Sequence, residues 1–426
     1  MPSPIEPLEP RRHLSAGDLD SSFGSGGTVS LRNGTVPTGG TPDAKPLHLA
    51  VDHAGRTLVV SSAYTAPDLE AAARPISYAL TRLTPDGRPD ARFALPTGGS
   101  IALNADDPPR KILVDSRDRI YVMSDGSVRR YTASGKIDRT YGRRGTAAPY
   151  NVFSRNVDAT VTADDVLWLL GTNYDTEGPD GPYSYVTRIA PDGVNSRDVQ
   201  ATFAANEPVA SIEHFETTTA SGLLRTLPDG AVLAAFDTSF YLYLDDDNGA
   251  SLVESGVRAF KFKPDGRPDR TYGKNGRVAY VRTYALTPPD ENHPENDPIT
   301  ALTGLSDDGT VLILDHPAGG PRPTVTLTPA GRQGANASSD ADPFPFGDYT
   351  DFVIHPQPGG RRLVYNGSDQ TVRRYNANGT RDNTFNGGTP FTNVAAIAFG
   401  PDNTLLMTDT GRSTTDARFV VRRIEL

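Results

Sequence analysis

Gly17-Asp18-Leu19-Asp20-Ser21-Ser22-Phe23-Gly24 reads as Gly-x-x-Asp-x-x-aromatic-Gly, and the chain repeats it. The pattern returns as GRPDARFA from Gly87, GKIDRTYG from Gly135, GRPDRTYG from Gly266 and GTRDNTFN from Gly379. In each copy Asp follows Gly by three residues and an aromatic follows Asp by three: Asp20/Phe23, Asp90/Phe93, Asp138/Tyr141, Asp269/Tyr272 and Asp382/Phe385. Two worn copies keep only their approach, TRIAPDG to Gly193 and VTLTPAG to Gly331. Gly17 and Gly379 are 362 residues apart over six steps, about 60 per step, and 426 residues divide into seven lengths of about 61. A period of that size marks a repeat architecture.

Between the motifs a second pattern recurs: an apolar run, a tight polar turn, another apolar run, a variable loop and a third run. The first turns lie in VDHAGRTLVV, VDSRDRIYVM, VTADDVLWLL, TLPDGAVLAA, LSDDGTVLIL, IHPQPGGRRLVY and FGPDNTLLMT. Turn residues between β-rich runs are the short-range hairpin signal. The third runs are ALTRL, VRRYT, VTRIA, RAFKF, TVTLT, VRRYN and VVRRI, and a fourth follows the Gly motif, as in TVSL at Thr28 and RVAYV at Arg277. No long segment has a 3.6-residue apolar period, so the expected class is all-β.

Seven four-stranded antiparallel units make a seven-bladed β-propeller. The chain stops after a third run and starts with the Gly motif that this run lacks. The last blade is therefore expected to borrow its outer strand from residues near 27–32, which closes the ring and removes open edges. The expected organisation is a flexible lead-in over 1–13 and one propeller over 14–426. Its blades fall near 45–104, 109–152, 156–205, 207–283, 297–346, 349–392 and 393–426, the last completed by 14–33.

The five good motif copies resemble the delta-60 repeat of bacterial β-propellers, with its DGxLDxxFG consensus, over nearly the whole chain from about residue 14. The two worn copies depart from it at 194–200 and 332–337. The resemblance implies the architecture and brings no substrate with it. Leu8-Glu9-Pro10-Arg11-Arg12-His13-Leu14-Ser15 is similar to the LEPR-XLL segment near the start of exported or surface bacterial proteins, with His13 off pattern. An extracellular or cell-surface location is the preferred expectation, with cytoplasmic residence the alternative, because residues 1–9 hold no apolar signal-peptide core.

Composition narrows the functional classes. With no Cys, thiolate catalysis, disulfides and Cys-based zinc or iron–sulfur sites are excluded. The balance of 42 basic to 52 acidic residues, net −10, opposes binding to a phosphate backbone, so no nucleic-acid partner is expected. No run of 18 apolar residues exists to span a membrane as a helix. A monomer is expected. The 41 Gly and 36 Pro are too many for a helical bundle.

The repeated Asp invites a metal reading, but one carboxylate per blade around a ring cannot converge on an ion that needs six to eight oxygens. The expected role is local: Asp caps its own turn, Gly supplies positive φ and the aromatic plugs the blade. In a meander, the first and third turns of each blade share one face. The second-to-third loops and the crossings share the other. On that second face lengths vary widely, over 61–77, 172–184, 206–220, 237–255, 283–297 and 338–349. Function on a rigid scaffold is usually carried by such loops.

Those loops are acidic and aromatic. The candidate ligand-binding residues are Tyr241, Tyr243, Tyr284, His214, His293 and Glu291. Asp245 and Asp247 are the candidate Ca²⁺ ligands, although the Asp-x-Asp-x-Gly spacing lacks the later ligands of an EF-hand. The alternative is a solvated acidic loop. The seven His form no His-x-His or His-Glu-x-x-His pair, and His48 in LHLAV reads as a packed, hydrogen-bonded imidazole. No nucleophile elbow or phosphate loop is present, so no catalytic residue is assigned. Three readings follow: a non-enzymatic module binding a protein, peptide or glycan; a metal-dependent lactonase or hydrolase with a divalent ion in the central channel; or a structural spacer of a surface assembly.

Overall fold

A computed structural model describes residues 16–32, 43–64, 75–96, 98–147, 154–173, 183–194, 201–203, 215–218, 222–243, 250–283, 299–306, 308–316, 324–330, 352–367, 369–378, 380–400, 403–409 and 418–426. It is an all-β ring of seven small antiparallel sheets. Among the described residues the helical pieces are single 3₁₀ turns at Pro358–Gly360 and Phe385–Gly388.

Strand β1 (Thr28–Arg32) belongs to the last blade, and the first begins at β2. Blade 1 is β2 (Asp43–Val51), β3 (Thr57–Tyr64), β4 (Pro75–Leu83) and β5 (Ser100–Leu103). Blade 2 is β6 (Pro109–Val114), β7 (Ile120–Ser124), β8 (Val128–Tyr131) and β9 (Thr146–Ala147). Blade 3 is β10 (Ser154–Val161), β11 (Leu167–Asn173), β12 (Tyr183–Ile189) and β13 (Ala201–Phe203). Blade 4 is β14 (Phe215–Thr218), β15 (Gly222–Thr226), β16 (Val232–Tyr243), β17 (Ala250–Phe262) and β18 (Arg277–Thr283), its inner strand being split into β14 and β15, which both pair with β16. Blades 5 and 6 have three strands each among the described residues. They are β19 (Ile299–Leu305), β20 (Val311–His316) and β21 (Thr324–Leu327), then β22 (Phe352–Pro356), β23 (Arg362–Asn366) and β24 (Thr371–Tyr375). Blade 7 is β25 (Val394–Phe399), β26 (Thr404–Asp409), β27 (Arg418–Glu425) and, outermost, β1.

The closure expected from the two chain ends is present. Strand β1 pairs with β27 from Thr28↔Arg422 to Arg32↔Arg418, so the N-terminal region supplies the outer strand of the C-terminal sheet.

The core lies between blades and not within them. Each sheet is apolar on both faces, as a sheet covered on both sides must be, and seven buried clusters among the described residues each draw on two neighbouring blades. Leu58, Val60 and Phe93 of blade 1 meet Ile112, Ile120 and Val122 of blade 2. Trp168 and Leu170 of blade 3 meet Val232, Phe236 and Phe262 of blade 4. At the closing seam, Phe23, Leu31, Phe419 and Val421 of blade 7 meet Leu49, Val59 and Leu83 of blade 1. No blade owns a core that would hold it folded alone.

One expectation about the loops is corrected. The segment 237–255 is not a loop over most of its length. β16 and β17 continue as a ladder to Tyr243↔Ala250, and β14 adds to it through Phe215↔Leu242 and Glu216↔Tyr241. The aromatic and β-branched runs in Phe240–Tyr243 and Ser251–Val253 favour extended pairing over a coil. Blade 4 therefore carries a hairpin of 12- and 13-residue strands, where the second and third strands of the other blades span four to nine. At about 3.3 Å per residue, four residues beyond β3 of blade 1 is roughly 13 Å of extra sheet.

Candidate functional site

The repeated motif is where the first and third turns meet, and its chemistry is completed by a cation outside it. Asp20, Asp138, Asp269 and Asp382 each accept, at Oδ1, the backbone N–H and the hydroxyl of the Ser or Thr two residues on. Asp90 accepts the Arg92 N–H in the same way. The second oxygen takes a guanidinium from the third strand: Arg82 to Asp90 at 2.9 Å, Arg130 to Asp138 and Arg374 to Asp382 at 2.8 Å, and Arg423 to Asp20 at 2.6 Å. Each guanidinium lies 4.3–4.8 Å from the centre of its motif ring, Phe93, Tyr141, Phe385 or Phe23. In blade 4 a lysine stands in, with Lys261 Nζ 2.8 Å from Asp229 and 3.4 Å from Asp269, beside the buried Tyr272.

Three of these arginines also reach the next blade, donating to the carbonyls of Pro85 (Arg423), Ala133 (Arg82) and Pro191 (Arg130). Backbone bonds run alongside, from Gly24 to Asp86, Ala94 to Ser134, Gly142 to Asp192, Gly273 to Pro329 and Asn386 to Ala16. The first glycine of a motif must be glycine for two reasons. Gly87 has φ +83°, and a Cβ there would lie 2.8 Å from the Gly24 nitrogen of the preceding blade. Gly17, Gly135 and Gly266 share the positive φ, and Gly379 lies outside the described residues. This face is a stitched chassis.

The cation partner was legible and was missed: Arg82, Arg130, Lys261 and Arg374 all stand eight residues before their Asp. It also sets an acid limit. At Asp20, Asp138 and Asp382 burial opposes ionisation, but hydrogen bonds from Ser or Thr and the arginine outweigh it and hold the carboxyls below the usual range. At Asp269 the Thr271 hydroxyl is the largest cause of the same lowering. A depressed folded pKa gives stability that is present above the unfolded value, about 3.9, and lost as pH falls through the folded one. The melting temperature is expected to drop as pH goes from about 5 to about 3, and less steeply in Asp138→Asn. Identical pH slopes for the two proteins would contradict this.

The inner strands line the central channel, and on blades 1–3 they carry a polar collar. β2, β6 and β10 each bulge by one residue, between Pro46 and His48, Pro109 and Lys111, and Asn156 and Asp158. A bulge re-aims the side chain that follows it. His48, Lys111 and Asp158 thereby occupy one register, opposite Val60, Met123 and Leu170, each the fourth residue of its second strand. On the remaining blades the corresponding positions are Leu223, Ala301, Val353 and Ile397. The collar is polar along one arc and apolar along the other.

Its polar members are joined around the ring. The ammonium of Lys111 is bonded to Asp158 Oδ1, and Asp158 Oδ2 accepts the Leu224 N–H of blade 4 at 2.7 Å. Arg110 forks onto Asp125 at 2.7 and 3.2 Å. His48 Nε2 lies 3.0 Å from the Pro109 carbonyl. A carbonyl only accepts, so Nε2 carries the hydrogen and Nδ1 keeps its lone pair. Burial pushes the His48 pKa down to about 4 against the Pro109 bond, helped by Lys111 and Arg110, so the ring is neutral at pH 7. Asn156, between blades 2 and 3, donates its amide to Ser124 O at 2.8 Å, while its Oδ1 is buried with no hydrogen-bond partner.

The expectation of a divalent ion in the channel meets this chemistry badly. Both oxygens of Asp158 are used, and the group beside it is an ammonium. Among the described residues no three His, Asp or Glu side chains come together as a metal cluster. The collar does not fit a cation that needs six to eight oxygens.

Of the candidate ligand residues, Tyr241 and Tyr243 are placed on β16, opposite Leu252 and Ala250 in the projecting hairpin. His214, Tyr284, Glu291, His293 and the candidate metal ligands Asp245 and Asp247 lie outside the described residues. Sequence reasoning set His48 aside as packed and passed over Lys111, Asn156 and Asp158. The available signal was a polar residue at a shared position of three inner strands.

No protein-family model matches the chain. No curated protein matches it either. Among solved structures it is similar to virginiamycin B lyase from Staphylococcus aureus, at 11% identity over 94% of this chain and 99% of that one, with a TM-score of 0.47. A streptogramin B lyase gives 10% identity, 92% and 97% coverage and a TM-score of 0.44. A gluconolactonase from Xanthomonas campestris gives 13%, 99% and 99%, and 0.35. At these scores none of them says anything of the activity of this chain. Among the described residues no helix is long and apolar enough to cross a membrane.

Proposed function

We propose that the protein is a non-enzymatic propeller scaffold, a delta-60-like module that binds a protein, peptide or glycan partner through its variable-loop face at the cell surface or outside the cell. The supporting observation is the asymmetry of the two faces. One is consumed by Asp–Arg and backbone staples from blade to blade. From the other rises the hairpin of blade 4, widened by β14 and carrying Tyr241 and Tyr243 toward its tip. A sheet that continues past its blade extends beyond the ring, and its sequence is rich in the aromatic residue types that binding surfaces favour.

The test compares the full chain with a variant in which residues 239–254 are replaced by a two-residue Asn-Gly turn. Both are screened on glycan and peptide arrays. The full chain is expected to bind one class, and the shortened variant to bind at least about tenfold more weakly, equivalent to ~1.4 kcal/mol, with an unchanged melting temperature. EDTA-sensitive turnover of lactone or ester substrates by the full chain would overturn the non-enzymatic reading. A Ca²⁺-dependent rise in melting temperature, lost in Asp245→Asn/Asp247→Asn, would assign an ion to the acidic loop.

A further inference from the structure

The stapled face keeps charges that its staples do not use. The blade 2 turn from Gly135 to Gly145 carries Lys136, Arg139, Arg143 and Arg144, all exposed and none with a carboxylate partner among the described residues. Its one carboxylate, Asp138, is taken by Arg130. The turn is compact: the Tyr141 N–H donates to Asp138 O at 3.1 Å, Gly145 to Tyr141 O at 2.8 Å and Arg143 to Thr146 O at 2.8 Å, so the four cations share one small knob. On the blade 1 turn Asp86 pairs with Arg88, which leaves Arg92 exposed beside them. Five large hydrophobic side chains are exposed among the described residues, and four of them stand on the motif turns of neighbouring blades: Leu19, Leu95, Ile137 and Val194. Leu95 is 58% exposed and follows Ala94, whose N–H bonds Ser134 O at the foot of the blade 2 turn. Ile137, 47% exposed, is in that turn itself, its Cγ2 2.4 Å from where a Cβ on Gly145 would stand.

We propose that this face docks peripherally on a bilayer containing anionic phospholipids, with the blade 2 cations on the headgroup phosphates and Leu95 and Ile137 at the headgroup–acyl boundary. Cations alone attract any polyanion, and the uncharged neighbours separate the classes. A glycan or a single-stranded nucleic acid is gripped by stacking on aromatic rings, and the rings of these turns, Phe23, Phe93 and Tyr141, are buried. Duplex nucleic acid offers phosphates but leaves the aliphatic side chains without an apolar partner. Exposed aliphatics beside Lys and Arg fit an anionic bilayer surface. The net charge of −10 does not oppose this. The loops that carry the acidic runs of the sequence connect the opposite ends of the strands, roughly 20 Å away for six residues, and charges are screened beyond about 8 Å at physiological salt.

The experiment sediments the full chain with sucrose-loaded vesicles, made of phosphatidylcholine alone or of phosphatidylcholine and phosphatidylglycerol in equal parts. The chain is expected to sediment with the mixed vesicles and not with the neutral ones, and less as salt is raised. Each cation at the surface contributes about fivefold to binding, so Arg143→Gln/Arg144→Gln is expected to bind about twentyfold more weakly. Lys136→Gln/Arg139→Gln should lose a similar factor, which covers the case in which the first pair disturbs the turn. Leu95→Ser/Ile137→Ser keeps every charge and is also expected to bind more weakly; unchanged binding there would reduce the patch to bare electrostatics and overturn the bilayer as its occupant. No sedimentation with the mixed vesicles, or equal sedimentation with both kinds, would overturn the proposal on the native chain, whatever the variants do. Retention on heparin or a DNA duplex without vesicle binding would assign the cations to a soluble polyanion instead. Shortening the blade 4 hairpin is expected to leave vesicle binding unchanged, so this outcome is separable from that of the loop-face reading.

Discussion

Removal of residues 418–426 is expected to leave an insoluble or molten chain. β27 sits between β26 and β1, so its loss strips one ladder from each and leaves β1 with nothing to pair with. Phe419, Val421 and Ile424 are all essentially buried. At about 1.5–3 kcal/mol apiece, they contribute roughly 5–9 kcal/mol, against a typical total of 5–15. Arg423 goes too, releasing Asp20 and the Pro85 carbonyl at the seam with blade 1. The open flank of β26 becomes an edge on which another chain can pair. Solubility on expression and a thermal melt followed by near-ultraviolet circular dichroism check this. A truncated chain that melts cooperatively near the parent temperature would refute the closure.

Arg130→Met is expected to cost about 3–5 kcal/mol, the range for removing one partner of a buried ion pair. The side chain is about 1% exposed and ties four groups together. It donates to Asp138 at 2.8 Å, to the Tyr121 hydroxyl at 3.2 Å and to the Pro191 carbonyl of blade 3, and it stacks on Tyr141. Methionine fills much of the volume but leaves the carboxylate, the hydroxyl and the carbonyl short of a donor. Arg139→Met, in the same turn but on an exposed side chain, is the control and should stay within about 0.5 kcal/mol of wild type. Equal denaturant midpoints for the two variants would show that the staple contributes nothing.

The ring was legible because its signal is summed. Five copies of one motif at a period near 60, and a chain that ends where its first motif begins, specify blade number and closure even though single turns are weak signals. The hairpin of blade 4 was misread because Asp237, Asp245–Asp247 and Asn248-Gly249 mark turns, while the strand-forming Phe240–Tyr243 between them was weighed as loop aromatics. Asp245–Asp247 and Asn248-Gly249 do fall between β16 and β17, but Asp237 lies within β16. The staple partner was in plain view at a spacing of eight, but it crosses from strand to turn and no helix or strand period reveals it. The collar left only a faint signal, a polar residue at one position of three inner strands. His48, Lys111 and Asp158 are 63 and 47 residues apart in sequence, and they share a level only because three strands bulge alike.

The contact of Gly87 on Phe23 and Gly24 has a consequence for how such a chain can be copied. Gly135 rests on Phe93 in the same way, and Gly193 on Tyr141. Each Gly-to-Gly unit thus begins with the surface that completes the seam behind it and ends with the surface awaiting the seam ahead. Its boundaries are out of phase with the sheets. A tandem duplication of one such unit, wherever the gene is cut, adds a blade together with both halves of a new joint. The interface that an added member needs is therefore already encoded within the unit that is copied.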